Sequence, residues 1–497
     1  MSSSKRYQKN EDYELEITDI GTNGEGIGHL NDGYTLFVQG AVPGDYVQAH
    51  IIKAQKNYGI ARLSKIIKAS PDRIHPSCPV AGRCGGCQIA CLSYDKQLDM
   101  KESKVRELLI RLGGFDKEQI EKVLNPIVGY YDEYEDGKYN SHFGEGLATP
   151  MRFRNKAQYP IGTDKDGKLI AGFYTTHSHR IVPTTDCKIG AVTDAKILDC
   201  ILKYMEEYHI TPYDESFHKG LVRHVLIRTG YYTGEIMVCL VINGSDLPEK
   251  KTLISRLLEL ELDNESCVTS ICFSSNTQDT NVIMGDSYTV IYGNSYIEDR
   301  IGDVTFKISP LSFFQVNPVQ TTKLYNLALE AAALTGNEVV WDLYCGIGTI
   351  SLFLAQKAKE VYGIEVIPQA IDNAFENAKL NNIDNAHFYV GRAEEVLPEF
   401  YKSCGVSNQA GTLSESAMKP DVIVVDPPRK GCDEECLNTM MQMGPTRIVY
   451  VSCDPATLAR DLKLLCENGK YRLDSVTPVD MFSNSNHVEN VALLIKQ

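Results

Sequence analysis

The sequence predicts an α/β protein with a C-terminal doubly wound parallel sheet, preceded by a small β-barrel and a central α/β domain. From about residue 305, strand patterns alternate with helix patterns, which is typical of a parallel sheet covered by helices. Between residues 12 and 68, short strand patterns are separated by Gly, Asn and Asp turns, which is typical of a small barrel. We therefore expect a disordered tail (1–11), the barrel (12–68), the central domain (69–304) and the C-terminal domain (305–497).

The composition is that of a globular protein without a membrane segment. Of the 497 residues, 43% are hydrophobic and 23% charged, and no stretch approaches the roughly 20 apolar residues that a membrane span needs. The N-terminus lacks the apolar core of a secretion signal, so we expect a cytoplasmic protein with reduced cysteines. Cysteines that cluster are then expected to bind a metal or to react.

The formal charge of −15 argues against a nucleic-acid partner when the chain is taken as a whole. Two segments are basic, however. Residues 51–75 carry six basic side chains and one acidic side chain. Residues 150–190 carry seven basic and three acidic side chains. Local basic surface is what contacts to phosphate require, so an acidic body is compatible with RNA binding. Each segment taken alone is also compatible with an ordinary solvated face.

A glycine loop follows the first strand of the C-terminal domain. This strand runs into Gly-Ile-Gly at 346–348, and the next strand ends at Glu365, where a carboxylate can hydrogen-bond both ribose hydroxyls of a nucleoside. The loop lacks the third glycine of a pyrophosphate-binding loop, which favours S-adenosylmethionine over a dinucleotide. A further strand ends in Asp-Pro-Pro-Arg at 426–429, a sequence typical of methyltransferases that act on nucleic acids.

The following strand ends at Cys453, which stands on a strand-to-helix turn at the same edge of the sheet. A helix N-terminus favours the thiolate form of a cysteine. A thiolate that adds to carbon 6 of uracil makes carbon 5 enolate-like, so that carbon 5 can attack the methyl group of a sulfonium. A base must then remove the proton from carbon 5, and Glu489 is the candidate. Taken in isolation, the two residues also fit a structural thiol and a surface carboxylate.

Residues 305–497 resemble the catalytic domain of the RNA uracil-5 methyltransferases, a family with a Rossmann-like fold that uses S-adenosylmethionine. Five motifs stand in the family's order: Phe-Phe-Gln-Val-Asn at 313–317, Asp-Leu-Tyr-Cys-Gly-Ile-Gly at 342–348, Asp-Pro-Pro-Arg at 426–429, Ser-Cys-Asp-Pro at 452–455 and His-Val-Glu at 487–489. The resemblance implies that Cys453 is the nucleophile, Glu489 the base and Phe313 a residue stacked near the target uracil. It also implies that the cofactor is bound by Gln315, Tyr344, Glu365 and Asp426. Two further cofactor positions depart from the family's pattern: this chain has Thr349 where some relatives have Asn, and Arg392 in place of a polar amide.

Residues 12–68 resemble a TRAM domain, an RNA-binding barrel that is appended to RNA-modifying enzymes. The resemblance lies in Gly21, Gly24, Gly26 and Gly28 and in Val-Pro-Gly-Asp at 42–45. It implies that RNA is the partner of this chain.

Three cysteines close in sequence, Cys78, Cys84 and Cys87, suggest a metal centre. A tetrahedral zinc site or a full iron–sulfur cluster needs four ligands, and Cys91 and the remote Cys187 are the candidates for the fourth. Zinc and unliganded thiols are alternatives to a cluster. The resemblance favours Cys187 and a [4Fe-4S] cluster, because many family members hold one with three close cysteines and one remote. We expect a structural role, since thiolate addition needs no redox step.

Two other functions are compatible with parts of the sequence: cytosine-5 methylation, and RNA binding by an iron–sulfur protein without catalysis. Cytosine-5 enzymes usually carry a cysteine in the Asp-Pro-Pro-type motif, and residues 426–429 contain none. A protein without catalysis would lack the nucleophile or the base, and both are present. Enzymes that act on the thymine loop of bacterial tRNA are generally shorter, without the barrel and the cysteines, so the sequence favours 23S ribosomal RNA over tRNA. We expect a monomer that flips the target base out of its stack.

Overall fold

The computed structural model describes residues 7–130, 134–135, 138–139, 149–176, 178–263, 265–396 and 419–497. This part of the chain contains a closed barrel, a central seven-stranded sheet and a C-terminal seven-stranded sheet. None of its helices is long and apolar enough to cross a membrane. Of the predicted tail, residues 1–6 lie outside the described residues, while Tyr7 stacks on Tyr34 of the barrel with ring centroids 4.3 Å apart.

The N-terminal barrel consists of five strands: β1 (Asp12–Ile20), β2 (Gly26–His29), β3 (Thr35–Gln39), β4 (Tyr46–Ala54) and β5 (Tyr58–Lys68). They close in the order β1-β2-β3-β5-β4. Alternate residues of each strand point inward, as Val47, Ala49 and Ile51 do on β4. At Gly28 an added Cβ would lie 2.4 Å from the carbonyl oxygen of Glu16, so only glycine allows these two strands to approach.

Two helices follow the cysteine segment: α1 (Tyr94–Arg111) and α2 (Lys117–Val123). Two short strands, β6 (Tyr134–Glu135) and β7 (Lys138–Tyr139), pair with each other. Although α1 and α2 lie within the predicted central domain, their buried Val105, Leu109 and Ile120 belong to the hydrophobic core on one face of the C-terminal sheet. The two helices therefore pack on the C-terminal domain, which the local sequence pattern could not show.

The central sheet has the order β10-β9-β8-β11-β12-β13-β14. Its strands and the two helices on one face are β8 (Lys156–Thr163), β9 (Leu169–Tyr174), β10 (Ile181–Pro183), α3 (Asp194–Glu207), β11 (Val222–Thr229), β12 (Glu235–Ile242), α4 (Lys250–Leu258), β13 (Cys267–Ser275) and β14 (Tyr288–Gly293). A hairpin of β15 (Ile297–Ile301) and β16 (Val304–Ile308) connects this sheet to the next. The predicted boundary between residues 304 and 305 falls after the first residue of β16. The hairpin therefore extends across this boundary.

The C-terminal sheet has the order β19-β18-β17-β20-β21-β23-β22, and its first five strands are parallel. Its elements are α5 (Pro318–Ala332), β17 (Val339–Leu343), α6 (Thr349–Ala355), β18 (Glu360–Glu365), α7 (Pro368–Leu380), β19 (Ala386–Val390), β20 (Val422–Val425), α8 (Glu434–Met443), β21 (Arg447–Ser452), α9 (Pro455–Cys466), β22 (Tyr471–Val479) and β23 (Glu489–Lys496). Apolar cores cover both faces of the sheet. The predicted α/β class and doubly wound C-terminal sheet are confirmed, and the parallel strands direct their carboxyl ends to one edge.

Candidate active site

A cavity of about 990 Å³ lies at the carboxyl ends of the parallel strands of the C-terminal sheet. Ligands of open α/β sheets bind at this edge. The cavity is lined by all nine residues that the sequence predicts for catalysis, substrate and cofactor: Cys453, Glu489, Phe313, Gln315, Tyr344, Thr349, Glu365, Arg392 and Asp426. Motifs that are far apart in the sequence therefore meet at one place.

The glycine loop between β17 and α6 forms one wall of the cavity. Tyr344, Gly346 and Gly348 have φ angles of 71°, 56° and 83°. Gly348 caps α6, and an added Cβ there would lie 3.2 Å from the ring of Phe388, so the turn requires glycine. The backbone N–H of Gly346 donates to Oε2 of Glu365 at 3.2 Å. This bond holds the Glu365 carboxylate against the loop, where a ribose would bind.

Two predicted cofactor residues already have partners within the protein. The hydroxyl of Thr349 accepts a hydrogen bond of 2.9 Å from the hydroxyl of Tyr325. The Nε of Arg392 donates to Oε1 of Glu394 at 2.6 Å. Both residues line the cavity, but these polar side-chain atoms serve internal contacts, so cofactor binding by Thr349 and Arg392 stays a prediction.

Two carboxyl groups, the buried Asp342 and the half-buried Asp426, lie at the strand ends beside the glycine loop. Burial raises the pKa of Asp426 to about 7 because the carboxylate loses its contact with water. Burial also raises the pKa of Asp342 to about 7. The hydroxyl of Ser351 donates a hydrogen bond of 2.5 Å to this carboxyl group, and the bond lowers the pKa in part. The Oδ1 atom of Asp342 has no hydrogen-bond partner in the described residues. The two groups make the cavity attractive to a cation such as a sulfonium.

Asp342 is not among the functional residues that the sequence predicts, although it stands in one of the five motifs. The signal was available, because Asp342 is an acidic residue at the end of an apolar strand immediately before the glycine loop. An acid buried there needs a polar or charged partner.

Cys453 follows β21 and lines the cavity. Burial raises the pKa of its thiol to about 12, and the carboxyl groups of Glu489 and Asp426 add to this effect. Burial and these two carboxyl groups therefore outweigh the effect that we expected from the helix N-terminus, and the thiolate is not favoured. The N–H groups of Ala456 and Thr457 at this N-terminus already donate to the carboxylate of Asp454, at 2.8 and 3.2 Å.

Glu489 is the first residue of β23 and is buried, with 3% of its surface exposed. Ser452 and Asn490 are register partners of antiparallel β21 and β23, so Cys453 and Glu489 come opposite each other at the strand ends. Burial raises the pKa of Glu489 well above its ordinary value, Asp426 raises it further and the Arg429 guanidinium opposes the shift. Glu489 is thus an enclosed carboxyl group rather than a surface carboxylate.

The loop 309–317 carries Phe313 and Gln315 to the cavity. Phe313 is 67% exposed, whereas Gln315 is buried. The side-chain amide of Asn155 donates to the carbonyl oxygen of Gln315 at 3.1 Å, which ties the loop to the central domain. The side-chain amide of Asn317 donates to the carbonyl oxygen of Met481 at 2.9 Å, which ties it to the loop before Glu489. An exposed ring beside a buried amide is suited to stack on a base and to hydrogen-bond its edge.

A second cavity of about 270 Å³ is lined by Cys78, Cys84, Cys87 and Cys187. Cys91, the alternative fourth ligand, does not line it. Burial raises the pKa of Cys87 to about 12, and the other three cysteines add to the rise, so the four thiols are close enough to interact. Within the described residues, no three His, Cys, Asp or Glu side chains are placed to hold a single metal ion. The donors are all sulfur, which fits an iron–sulfur cluster better than a hard cation.

The fold and the cavity define an S-adenosylmethionine-dependent methyltransferase with an N-terminal RNA-binding barrel. The family model "tRNA (Uracil-5-)-methyltransferase" matches residues 247–497, and the TRAM domain model matches residues 6–64. The chain belongs to the tRNA (uracil-5-)-methyltransferase family.

Relatives and a solved structure agree with this assignment along the whole chain. An RNA methyltransferase of Clostridium tetani is 47% identical, over 98% of this chain and 97% of its own length. An RNA methyltransferase of Halalkalibacterium halodurans is 45% identical, also over 98% of this chain and 97% of its own length. The structure of Pyrococcus abyssi tRNA (uracil-54, C5)-methyltransferase with S-adenosyl-L-homocysteine is 27% identical, with a TM-score of 0.71, and the match covers 97% of this chain and all of that one.

Proposed function

We propose that the chain methylates carbon 5 of a uridine in RNA through a covalent bond between Cys453 and the uracil ring. One arrangement carries the proposal. Cys453 and Glu489 come opposite each other at the ends of β21 and β23, inside the cavity that also contains Glu365 and Asp426. A nucleophile, a base and a cofactor site in one cavity are what this chemistry requires.

In the proposed reaction the sulfur of Cys453 bonds to carbon 6 of uracil, and the electrons of the double bond between carbons 5 and 6 move toward carbon 5 and oxygen 4. S-adenosylmethionine supplies the methyl group, to which carbon 5 bonds while the cofactor sulfur keeps the electron pair. The carboxylate of Glu489 takes the proton from carbon 5. The double bond then forms again and the bond from carbon 6 to sulfur breaks, which releases the thiolate.

The protonation of the free site implies that ligand binding activates it. Burial raises the pKa of Cys453 to about 12 and that of Glu489 well above its ordinary value, so burial favours the neutral form of both groups. The thiol must lose a proton before it adds, and Glu489 must be ionised before it accepts one. A cation in the cavity lowers both pKa values, as the Arg429 guanidinium already does in part. We infer that the bound sulfonium prepares nucleophile and base together.

For the RNA substrate we propose a uridine of 23S ribosomal RNA, on the basis of the barrel and the four cysteines. A tRNA uridine is the second candidate, because the Pyrococcus abyssi structure that covers 97% of this chain is of a tRNA enzyme. That match means that chain length does not separate the two substrates. In either case, we propose that residues 12–68 bind RNA and that residues 305–497 carry out the chemistry.

The test of the substrate is nucleoside analysis of 23S ribosomal RNA and of tRNA from cells with the gene deleted and then restored. We expect 5-methyluridine to disappear from ribosomal RNA and to return on restoration. Loss from tRNA alone would overturn the substrate and leave the chemistry standing. Unchanged 5-methyluridine in both RNAs would overturn the proposed function.

We further propose that Cys78, Cys84, Cys87 and Cys187 hold a [4Fe-4S] cluster, with zinc as the alternative. Their sulfur atoms surround one cavity, and a four-iron cluster, being larger than an ion, holds its ligands farther apart than a single metal does. Protein purified without oxygen is expected to contain iron and to absorb broadly near 400 nm. Cys187→Ser should lose most of the iron, while Cys91→Ser should keep it. Zinc without iron in both preparations would refute the cluster.

A further inference from the structure

Three basic side chains on one face of the central sheet lack a carboxylate partner in the described residues. Arg154 precedes β8, Lys156 begins β8, and Arg228 on β11 is the register partner of Lys156. Arg228 is buried, and Arg154 and Lys156 are half-buried. None of the interactions that shift the pKa values of these three groups involves a carboxylate. Charges withdrawn from water are normally paired, because an unpaired one costs free energy, so this set calls for an explanation.

The three cations also repel one another. Burial lowers the pKa of Lys156 to about 7, and the guanidinium groups of Arg228 and Arg154 lower it further. An anion placed beside them would relieve this repulsion and restore the full charge of Lys156.

Arg228 has a partner inside the protein and the other two cations have free donors. The Nη2 of Arg228 donates to the carbonyl oxygen of Ser312 at 2.8 Å and so holds the loop 309–317. The Nε of Arg154 donates a hydrogen bond to the carbonyl oxygen of Lys156 at 2.8 Å. Its Nη atoms and the Nζ of Lys156 donate to no acceptor in the described part of the chain. Arg154 lines the catalytic cavity together with Phe313.

We propose that Arg154 and Lys156 bind a backbone phosphate of the RNA beside the methylated uridine, while Arg228 positions the loop that carries Phe313. A phosphodiester is the anion that an RNA substrate brings to this cavity, and Arg and Lys are its usual partners. The inference rests on the proposed function, because the uridine must enter the catalytic cavity, which Arg154 lines, for a neighbouring phosphate to reach Arg154 and the adjacent Lys156.

The cysteine cavity offers another anion, and the two sources can be separated at Lys156. Arg154 also lines the cysteine cavity, and Cys87 and Cys187 affect its guanidinium. Neither cysteine affects Lys156. The negative charge of a thiolate cluster could therefore neutralise Arg154 but not Lys156. A substitution of Lys156 is the one that tests whether a phosphate binds.

The experiment compares Lys156→Met with Lys165→Met, which removes the same charge from an exposed turn after β8. The probes are unmodified 23S ribosomal RNA and tRNA transcripts, measured over a range of salt concentrations, with iron content and S-adenosylmethionine affinity as controls for folding. We expect the Lys156→Met protein to bind the transcript that the wild-type protein methylates about ten-fold more weakly. The slope of the logarithm of the affinity against the logarithm of the salt concentration should fall by about 1. Lys165→Met should leave both unchanged.

A second arm identifies the phosphate. In a synthetic oligonucleotide spanning the methylated uridine, an uncharged methylphosphonate replaces each neighbouring linkage in turn. We expect one substitution to weaken binding of the wild-type protein and to have little further effect on Lys156→Met, because both remove the same contact. Equal weakening of both proteins at every linkage, or equal effects of Lys156→Met and Lys165→Met, would overturn the proposal. If the wild-type protein bound these RNAs but methylated neither, the proposed function would be refuted instead. The salt slopes of the two variants could still be compared in that case.

Discussion

The ammonium group of Lys101 on α1 is paired with the carboxylate of Asp480, and both side chains are fully buried. Lys101 also donates to the carbonyl oxygen of Phe482 at 3.0 Å. The hydroxyl groups of Tyr94 and Ser483 donate to the same carboxylate at 2.8 and 2.5 Å. This network fixes the start of the loop that leads to Glu489, so a helix from outside the C-terminal domain holds the proposed base in place.

Lys101→Met should destabilise the protein strongly, because it leaves the Asp480 carboxylate buried without its cation. Removing one partner of a buried ion pair costs about 3–5 kcal/mol in the free energy of unfolding. Urea denaturation followed by circular dichroism measures this loss. The double variant Lys101→Met with Asp480→Leu should recover part of the stability, since no buried charge remains. A double variant that is less stable than the single one would contradict this account.

S-adenosylmethionine should bind more tightly as the pH rises through about 7. Burial raises the pKa of Asp426 to about 7, so the group is neutral below that pH and charged above it, and only the charged form attracts a sulfonium. The affinity is expected to rise by up to about ten-fold per pH unit below the pKa and then to level off. Isothermal titration calorimetry measures the affinity. Asp426→Asn should bind more weakly at high pH and show a flatter dependence; an unchanged pH profile would refute the role of this carboxyl group.

Cys453 should react slowly with iodoacetamide at neutral pH, because its pKa of about 12 leaves little thiolate. The alkylation rate at this position should rise about ten-fold per pH unit between about pH 7 and about pH 9. Peptide mass spectrometry follows the rate at Cys453, with the exposed Cys267 as an internal reference. Asp426→Asn removes a carboxyl group that raises the pKa and should speed the reaction. A rate at Cys453 that matches the rate at Cys267 at neutral pH would contradict the raised pKa of Cys453.

The site could be predicted from the sequence to the extent that its residues belong to contiguous motifs. Tyr344, Asp426 and Cys453 all follow strands of the parallel sheet, and parallel strands carry such positions to one edge. What the sequence could not show depends on contacts between distant segments. The protonation of Cys453 is an example, since burial and the carboxyl groups of Glu489 and Asp426, which come from other segments of the chain, raise the pKa of its thiol.

The supports of the site were equally invisible in the sequence. Asn155 reaches the carbonyl oxygen of Gln315, and α1 packs against the C-terminal sheet, although both lie in segments assigned to the central domain. These contacts join residues that are 160 or more positions apart, and local periodicity contains no information about them.

Glu489→Gln should trap the enzyme on its RNA. Glutamine has nearly the shape of the buried Glu489 side chain but cannot accept the proton from carbon 5, so methyl transfer proceeds and the bond from sulfur to carbon 6 persists. Denaturing gels with labelled RNA should show a slow band that depends on S-adenosylmethionine. Adding Cys453→Ala should remove the band, because no thiolate remains to form the bond. Glu467→Gln, a change of the same type at an exposed position after α9, should turn over normally without a band. If Glu489→Gln methylated RNA at the normal rate and formed no adduct, a different group would have to remove the proton.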